Sequence, residues 1–159
     1  MAIRCSAKAM IIRGDQILLN QCRWPSGSIY YDLPGGGQQM YEPMEDAVAR
    51  EVYEETGYRI RVVRLAAIAE NIYEGSAVRA REPEYCHIIY HIFIAELLDQ
   101  TPAAVAEMDY QQEATVWAPL SEVANLPIVP QALQNRIIEA IHSDGALWLG
   151  TQTIAYCEI

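Results

Sequence analysis

The sequence predicts an α+β fold that combines a mixed β-sheet with helices. Its 159 residues, of which 52% are hydrophobic, suit one domain with a core large enough to fold alone. Apolar segments with strand-like character recur along the chain, and segments with helical spacing interrupt them. We therefore expect a single domain over residues 1–159.

The first predicted element is a β-hairpin from Arg4 to Arg23. Its two apolar runs are separated by Arg13-Gly14-Asp15, and Gly and Asp tolerate the positive φ angles of a tight turn. The loop Trp24 to Ser28 follows, rich in turn-forming residues. A short strand from Tyr30 to Leu33 then closes on Pro34 and three glycines.

A helix is predicted directly after these glycines. Pro43 suits its first turn and Gly57 suits the position just past its end, while Asp46 to Glu55 contain no helix breaker.

The rest of the chain predicts further strands and two more helices. Strands are expected at Tyr58–Val62, which reads as an edge strand, and at Leu65–Tyr73, Tyr85–Leu97 and Ala114–Trp117. A short helix is expected near Leu120–Ala124 and a longer amphipathic one at Pro130–His142. The polar segment Glu74–Glu84 predicts a mobile loop. The tail Leu147–Ile159 is either a last strand or a surface that pairs with another subunit.

The charge balance limits the partners. With 11 basic and 21 acidic residues the net charge is -10, which argues against a surface that holds nucleic-acid backbone. A small phosphate-bearing substrate would be repelled too, unless divalent cations supply local positive charge.

The expected location is the cytoplasm, away from membranes. No apolar run approaches the roughly 18 to 20 residues that a membrane span needs, and Met1 to Cys5 lack the pattern of a secretory signal. The cysteines Cys5, Cys22, Cys86 and Cys157 are scattered without a Cys-x-x-Cys pair, so reduced structural thiols are expected.

The helix after the glycines carries carboxylates where apolar side chains are expected. Val48 and Val52 mark its apolar face, and at about 100° per residue Glu51 and Glu55 fall on or beside that face. Glu54 lies within one turn of both. Like charges at this spacing repel unless a cation binds among them, and hard oxygen ligands suit Mg²⁺ or Mn²⁺. Glu-rich helices are, however, more often solvated faces.

The surrounding spacing decides between these interpretations. Gly36 is followed after five residues by Glu42 and, after seven more, by Arg50-Glu51-Val52-Tyr53-Glu54-Glu55-Thr56-Gly57. Together with Leu33-Pro34-Gly35, the stretch Gly36 to Tyr58 resembles the signature box of the Nudix hydrolases. The resemblance implies the Nudix fold, a mixed β-sheet sandwiched between α-helices. It also implies a metal-dependent pyrophosphohydrolase that cleaves a phosphoanhydride bond in a nucleoside diphosphate linked to another moiety.

The elements of the box have separate expected roles. The glycines from Gly35 to Gly37 let the backbone approach a ligand or metal closely. Glu42 can accept hydrogen bonds from the first free N–H groups of the helix. Arg50, one turn before Glu54, can hold that carboxylate and fix its orientation for catalysis.

The resemblance implies that Glu51, Glu54 and Glu55 coordinate Mg²⁺ or Mn²⁺, with a backbone carbonyl near Gly35 or Gly36. The ions would bridge the diphosphate and lower the pKa of an attacking water, while a carboxylate takes its proton. The general base is left open between Glu51, Glu54 and a later acidic residue.

Three positions depart from the usual box. Tyr41 stands where Gly is usual, Gln39 where an acidic residue is common, and Tyr58 where an aliphatic residue is usual. None removes a predicted metal ligand, but the loop before the helix is expected to take an unusual path.

Candidate substrate contacts lie outside the box. Arginine suits phosphate, whereas Tyr and Trp can stack on a base, so the candidates are Arg4, Arg23, Trp24, Tyr30 and Tyr31. The candidates for an extra acid are Glu107, Asp109 and, preferred among them, Glu113.

The substrate is open between an ADP-ribose-like compound, a dinucleotide, a nucleoside triphosphate and a non-nucleotide diphosphate. The alternative function is a non-catalytic sensor or subunit that binds a nucleotide-like ligand. Family resemblance also suggests a homodimer formed through the tail or the hairpin.

Overall fold

The computed structural model describes residues 3–105, 108 and 111–155. Nine strands and four α-helices occur within these residues. The strands are β1 (Arg4–Arg13), β2 (Gln16–Arg23), β3 (Ile29–Asp32), β4 (Gly35–Gly37), β5 (Ile60–Tyr73), β6 (His87–Leu97), β7 (Gln112–Pro119), β8 (Ile128–Val129) and β9 (Leu147–Ile154). The helices are α1 (Met44–Thr56), α2 (Ser76–Arg81), α3 (Gln131–Gln134) and α4 (Ile137–His142), with short 3₁₀ turns at Pro83–Tyr85 and Val123–Asn125.

The sheet is mixed and divides into two halves. The strand order is β8-β3-β2-β1-β6-β5-β9, with β4 added to β1 and β7 added to β2. β1 runs parallel to β6 and antiparallel to β2 and β4, while β9 runs parallel to β5. This confirms the predicted mixed sheet.

The β1–β2 hairpin joins the two halves of the sheet. β1 and β2 pair only next to the turn, where Ile12 faces Ile17 and Arg13 faces Gln16. Further along, β1 pairs with β4 over Ser6–Lys8, while β2 pairs with β3 from Asn20 onward. Because each strand takes a different partner, the two strands diverge and leave a cleft between them.

Two apolar clusters hold the helices against the sheet. On one side, α1 buries Ala47, Val48 and Val52 against Ala9 and Ile11 of β1. On the other side, the larger cluster joins residues of the sheet to those of α3 and α4; it includes Met10, Leu19, Leu33, Ile92, Leu133 and Ile137. Helices therefore cover both faces, as predicted. No helix in the described ranges combines the length and apolarity needed to cross a membrane.

Strand predictions in the middle of the chain need one correction. The two predicted strands fall in a single long strand, β5, which starts at Ile60. From Ala67 onward β5 lies between β6 and β9, whereas residues 60–62 pair, within the described part of the chain, with β6 alone, as predicted for an edge strand. Its pairing with β6 shifts register at Val62/Arg64 and at Leu65/Ala67. These irregularities interrupt the alternation of buried residues, which is why the sequence indicated two strands.

The predicted mobile loop at Glu74–Glu84 instead contains helix α2 and the start of a 3₁₀ turn. The guanidinium of Arg79 donates to the carbonyl of Tyr73 at 2.8 Å, which ties this polar segment to the end of β5. Because polar hydrogen bonds hold this segment, its sequence lacks the apolar periodicity that would have predicted a helix.

The predicted helix Pro130–His142 is two short helices. The break lies at Asn135 and Arg136, whose backbones leave the helical conformation. Arg136 then binds Glu139 and the carbonyl of Trp148. The predicted short helix near Leu120–Ala124 is the 3₁₀ turn Val123–Asn125. The tail forms strand β9 as far as Ile154, and residues 156–159 lie outside the described residues.

Helix α1 ends where the sequence predicts. Gly57 adopts a left-handed φ of 73°, and its N–H donates to the carbonyl of Tyr53. A Cβ at Gly57 would overlap the backbone of Ala103, whose N–H donates to the Gly57 carbonyl at 2.9 Å. Both the conformation and the lack of space therefore require glycine here.

We predict that Gly57→Ala lowers the free energy of unfolding by about 2 kcal/mol or more, because a positive φ alone costs a residue with a Cβ roughly 1–2 kcal/mol. Gly14→Ala is the matched control, since Gly14 also has a positive φ of 62° but nothing lies near its Cβ position. Urea unfolding measures both variants. Equal losses would show that the contact with Ala103 contributes nothing.

Candidate active site

A cleft of about 820 Å³ opens where β1 and β2 diverge. Side chains alternate between the two faces of a strand, so every second residue of these strands faces the cleft. The cleft-facing residues are Arg4, Ser6 and Lys8 on β1, Asn20 and Cys22 on β2, and Tyr30 and Asp32 on β3. The glycine loop and Glu51 and Glu55 of α1 complete this side of the cleft.

The peptide group of Gly35 is held from both sides. Its N–H donates to Oε2 of Glu55 at 2.9 Å, and its carbonyl accepts a hydrogen bond from Nζ of Lys8 at 2.5 Å. Gly35 has a φ of 127°, and a Cβ there would overlap the carbonyl of Ala7. The loop is thus fixed between α1 and β1 by two oppositely charged, buried side chains.

The next two glycines lie against charged side chains. A Cβ on Gly36 would lie 2.5 Å from Cδ of Glu51. A Cβ on Gly37 would lie 2.5 Å from Nη2 of Arg4. The backbone of the loop can therefore approach a carboxylate and a guanidinium closely because these glycines lack a Cβ.

Arg50 connects the three exposed or half-buried acids of the box. It holds Glu42 through two hydrogen bonds of 2.8 and 3.0 Å, and its Nη1 donates to Glu51 at 2.8 Å and to Glu54 at 3.1 Å. Its Nη2 also donates to the carbonyl of Gly37. The bidentate bond with Glu42 raises the pKa of Arg50 above its ordinary value. The predicted hydrogen bond from Arg50 to Glu54 is therefore present, and Arg50 contacts Glu42 and Glu51 as well.

Glu42 binds Arg50 and the loop in front of the helix. Its Oε2 accepts a hydrogen bond from the N–H of Gln39 at 3.0 Å. The hydrogen bonds from Arg50, helped by that N–H, lower the pKa of Glu42 from 4.5 to about 2. Glu42 thus accepts hydrogen bonds from the loop and from Arg50. The N-cap of α1, by contrast, has no side-chain hydrogen bond.

Glu55 is the most buried acid of the box, with 5% of its surface exposed. Its Oε2 accepts a hydrogen bond of 2.7 Å from Asn20 in addition to that from Gly35. Gln112 donates to the backbone carbonyl of Glu55 and to Asn20, and Thr115 donates to Asn20. This network fixes the carboxylate from the β2–β7 side.

The donor set fits a divalent cation. Glu51 and Glu54 offer hard oxygens, Arg50 engages only Oε1 of Glu51, and the missing Cβ of Gly36 leaves backbone beside the Glu51 carboxylate. Among the described residues, no three His, Cys, Asp or Glu side chains form a ready metal cluster. The three carboxylates do not converge because Glu51 and Glu54 accept hydrogen bonds from Arg50, while Glu55 accepts one from Asn20.

Two predicted substrate residues bind each other instead. Arg23 forms a bidentate ion pair with Glu113, with distances of 2.5 and 3.0 Å, and also donates to the carbonyl of Gly27. Neither side chain lines the cleft. This pair holds the Trp24–Ser28 loop, so the structure does not support the predicted substrate-binding role of either residue. The other candidate acids, Glu107 and Asp109, lie outside the described residues.

The two tyrosines of β3 point to opposite faces of the sheet, so the prediction that both contact substrate is corrected. Tyr30 faces the cleft, whereas Tyr31 packs against the larger apolar cluster, because consecutive strand residues point to opposite faces. Tyr30 stacks on Trp24 with ring centroids 3.9 Å apart, and its hydroxyl donates to Gln111. Of the predicted aromatic contacts, Trp24 and Tyr30 remain candidates.

The ion pair of Lys8 with Asp32, at 2.7 Å, is the main feature that sequence analysis missed. The signal was present, because Lys8 interrupts an otherwise apolar stretch of β1 that is buried on both sides. The α2 segment was missed as well; it contributes Arg81, and the following turn contributes Tyr85 to the cleft.

Cys22 is a neutral thiol on the cleft wall. Burial, together with the negative charge of Asp32, raises the pKa of Cys22 from 9.0 to about 12. Only the thiolate is nucleophilic, so Cys22 is unsuited to covalent catalysis. Cys5, Cys22 and Cys86 are free thiols, and Cys157 lies outside the described residues.

Tyr41 explains why glycine is usual before the first box glutamate. It adopts a φ of 67°, in the left-handed region that favours glycine. Its side chain is 98% exposed. The tyrosine therefore accepts an unfavourable backbone conformation without gaining packing.

Comparison with known proteins matches most of the chain to one family. A family model of the NUDIX domain matches residues 4–139. A MutT-like protein from Streptomyces ambofaciens is 39% identical over 70 residues, 44% of each chain. Human diphosphoinositol polyphosphate phosphohydrolase 3-alpha is 30% identical over 95 residues, 59% of this chain and 51% of that protein. The chain thus spans about half the length of these curated relatives.

Solved structures confirm the predicted Nudix fold. A MutT protein from Bacillus halodurans superposes with a TM-score of 0.69 at 21% identity, covering 96% of this chain and 91% of that one.

We predict that the Glu42–Arg50 pair makes stability depend on pH. The pKa of Glu42 is lower in the folded protein, so its stabilising effect is complete above 4.5 and is lost as the pH falls toward about 2. In urea unfolding, Glu42→Gln should be less stable than the wild type at neutral pH, and this difference should narrow over that interval. Glu45→Gln removes a charge from the same helix outside the Arg50 network. A pH-independent effect of Glu42→Gln would contradict the assignment.

Proposed function

Because this chain belongs to the Nudix hydrolase family, we propose that it is a metal-dependent pyrophosphohydrolase of small nucleotide-like diphosphates, acting as one cytoplasmic domain. The observation that carries the proposal is the meeting of Gly36 and Glu51 at the cleft, with Arg50 bound to that glutamate. The Gly36 backbone, which lacks a Cβ, lies beside the Glu51 carboxylate, and the guanidinium of Arg50 donates a hydrogen bond to the same carboxylate.

The predicted ligands for Mg²⁺ or Mn²⁺ are Glu51, Glu54, Glu55 and the backbone at Gly36. A bound divalent ion would neutralise the diphosphate and lower the pKa of an attacking water. The backbone donor is open between the carbonyls of Gly35 and Gly36, because Lys8 binds the Gly35 carbonyl while Gly36 pairs with Ala7 in the β1–β4 ladder. Glu55 is held on one oxygen by Asn20 and Gly35, which restricts its rotation.

The geometry supports Glu51 as the proton acceptor. It lines the cleft, and Arg50 occupies only one of its oxygens. Glu54 is not among the cleft residues, and Glu113 is committed to Arg23. Arg50 would fix the rotamer of Glu51 so that its carboxylate faces the substrate.

The aromatic wall supports a nucleotide over other diphosphates. Trp24 and Tyr30 form a stacked pair beside the cleft, and aromatic side chains of this kind bind nucleobases by stacking. The name of the human relative, by contrast, indicates an inositol diphosphate, which has no base to stack. Both classes therefore belong in the first test.

We predict metal-dependent cleavage of one compound in a panel of ADP-ribose, dinucleoside polyphosphates, nucleoside triphosphates and diphosphoinositol phosphates. Glu54→Gln should reduce its turnover at least about 100-fold by removing a metal ligand. Glu45→Gln, an exposed carboxylate on the same helix, is the matched control. Ligand binding without product formation in Mg²⁺ or Mn²⁺ would instead indicate the non-catalytic sensor.

A second prediction concerns Gly36. In Gly36→Ala the new Cβ displaces the Glu51 carboxylate, so turnover should fall about 100-fold, the effect expected from a misplaced catalytic group. The obstacle is the end of a flexible side chain, so the melting temperature should change little. Gly145→Ala, where nothing lies near the Cβ position, is the control. Full activity in Gly36→Ala would remove the predicted role of this loop.

A further inference from the structure

Arg4 differs from most basic residues of this acidic protein. Six of the 11 basic residues, all within the described ranges, form ion pairs with carboxylates: Lys8, Arg23, Arg50, Arg59, Arg61 and Arg136. Arg64 and Arg79 donate to backbone carbonyls. In the described part of the chain, neither a carboxylate nor a carbonyl accepts a hydrogen bond from Arg4.

The guanidinium of Arg4 is nevertheless held in a defined place. Its Cζ lies 4.7 Å from the centroid of the Tyr85 ring, within the range of a cation–π interaction. On another side, Nη2 lies 2.5 Å from the position that a Cβ of Gly37 would take. Arg4 is therefore fixed between the glycine loop and the 3₁₀ turn that follows α2.

This arrangement keeps the hydrogen-bonding capacity of Arg4. The N–H groups of a guanidinium point outward in its plane, so contact of its face with an aromatic ring does not use them. Arg4 also lines the cleft, on the same face of β1 as Ser6 and Lys8. Its donors are thus kept beside the loop that carries Gly36 and Glu51.

We propose that Arg4 binds a phosphate group of the diphosphate substrate, an inference that rests on the proposed function. A guanidinium matches phosphate oxygens with two parallel hydrogen bonds, and such charge-assisted bonds are among the strongest in proteins. The other two cations nearest the box are committed, Lys8 to Asp32 and Gly35, and Arg50 to three glutamates. In a protein of net charge -10, a substrate anion needs such a cation.

Each glycine of the loop makes room for a different neighbouring group. Gly35 makes room for the carbonyl of Ala7, Gly36 for the carboxylate of Glu51 and Gly37 for the guanidinium of Arg4. The phosphate on Arg4 would then lie next to the predicted metal ligands. Tyr85 acts as a positioning residue, because it contacts Arg4 and holds it at the cleft.

The experiment compares Arg4→Gln with Arg13→Gln. Arg13 is a matched control, because its guanidinium also lies over an aromatic ring, that of Trp117 at 3.9 Å, but away from the cleft. The probe is methylene diphosphonate, a non-hydrolysable diphosphate, titrated calorimetrically in Mg²⁺. We expect Arg4→Gln to weaken binding about tenfold or more, as for a lost charged hydrogen bond, and Arg13→Gln to bind like the wild type.

Two further variants separate binding from folding. Gly37→Ala keeps the charge of Arg4 but displaces its guanidinium, so it should weaken binding in the same direction as Arg4→Gln. Arg4→Lys keeps the charge without the planar pair of donors and should lie between wild type and Arg4→Gln. Circular dichroism melting checks that each variant is folded.

The outcomes distinguish this inference from the proposed function. Wild-type binding in folded Arg4→Gln and Gly37→Ala overturns the role of Arg4, even if the panel reveals hydrolysis. Failure of the wild type to bind the probe at millimolar concentration overturns it as well. Arg4-dependent binding in a protein that hydrolyses nothing supports the phosphate site and rejects the catalytic proposal. For an active enzyme, KM should rise more than kcat falls in Arg4→Gln.

Discussion

The peptide group of Gly35 is the point on which the rest of the site depends. Its N–H is bound by the buried carboxylate of Glu55 and its carbonyl by the buried ammonium of Lys8. Moving this peptide would remove one hydrogen-bond partner from each of two buried charged groups, which is costly. The loop is therefore fixed to helix α1 and strand β1 at once, and the positions of Gly36 and Gly37 beside Glu51 and Arg4 follow from it.

Charge is distributed around this loop in a consistent way. Arg50 binds Glu42, Glu51 and Glu54, so the most acidic turn of the protein is held together by one guanidinium. Lys8 compensates Asp32 on the floor of the cleft. These pairs allow an acidic chain to concentrate carboxylates at one cleft without losing the helix that carries them, because each like-charge repulsion is offset by a nearby cation.

The cleft itself is a consequence of strand pairing. β1 and β2 share only two paired positions at the hairpin, and each then takes another partner. A gap between diverging strands would normally be filled by apolar side chains. Here the strands place Lys8, Asn20, Cys22 and Asp32 toward the gap, and polar partners satisfy most of these groups. Packing alone would not favour polar side chains in this gap. Their presence is consistent with a ligand-binding surface.

The sequence by itself determined the hairpin, helix α1 with its glycine end, and the box from Gly36 to Tyr58, because these features depend on local spacing and backbone conformation. Only the tertiary structure decided which side chains meet. Arg23 and Glu113 are 90 residues apart and pair with each other, and strand alternation sends Tyr30 to the cleft but Tyr31 to the core. Arg4 likewise meets Tyr85, which lies in the turn before the neighbouring strand β6. Such contacts depend on register and on segments distant in sequence, which local periodicity does not encode.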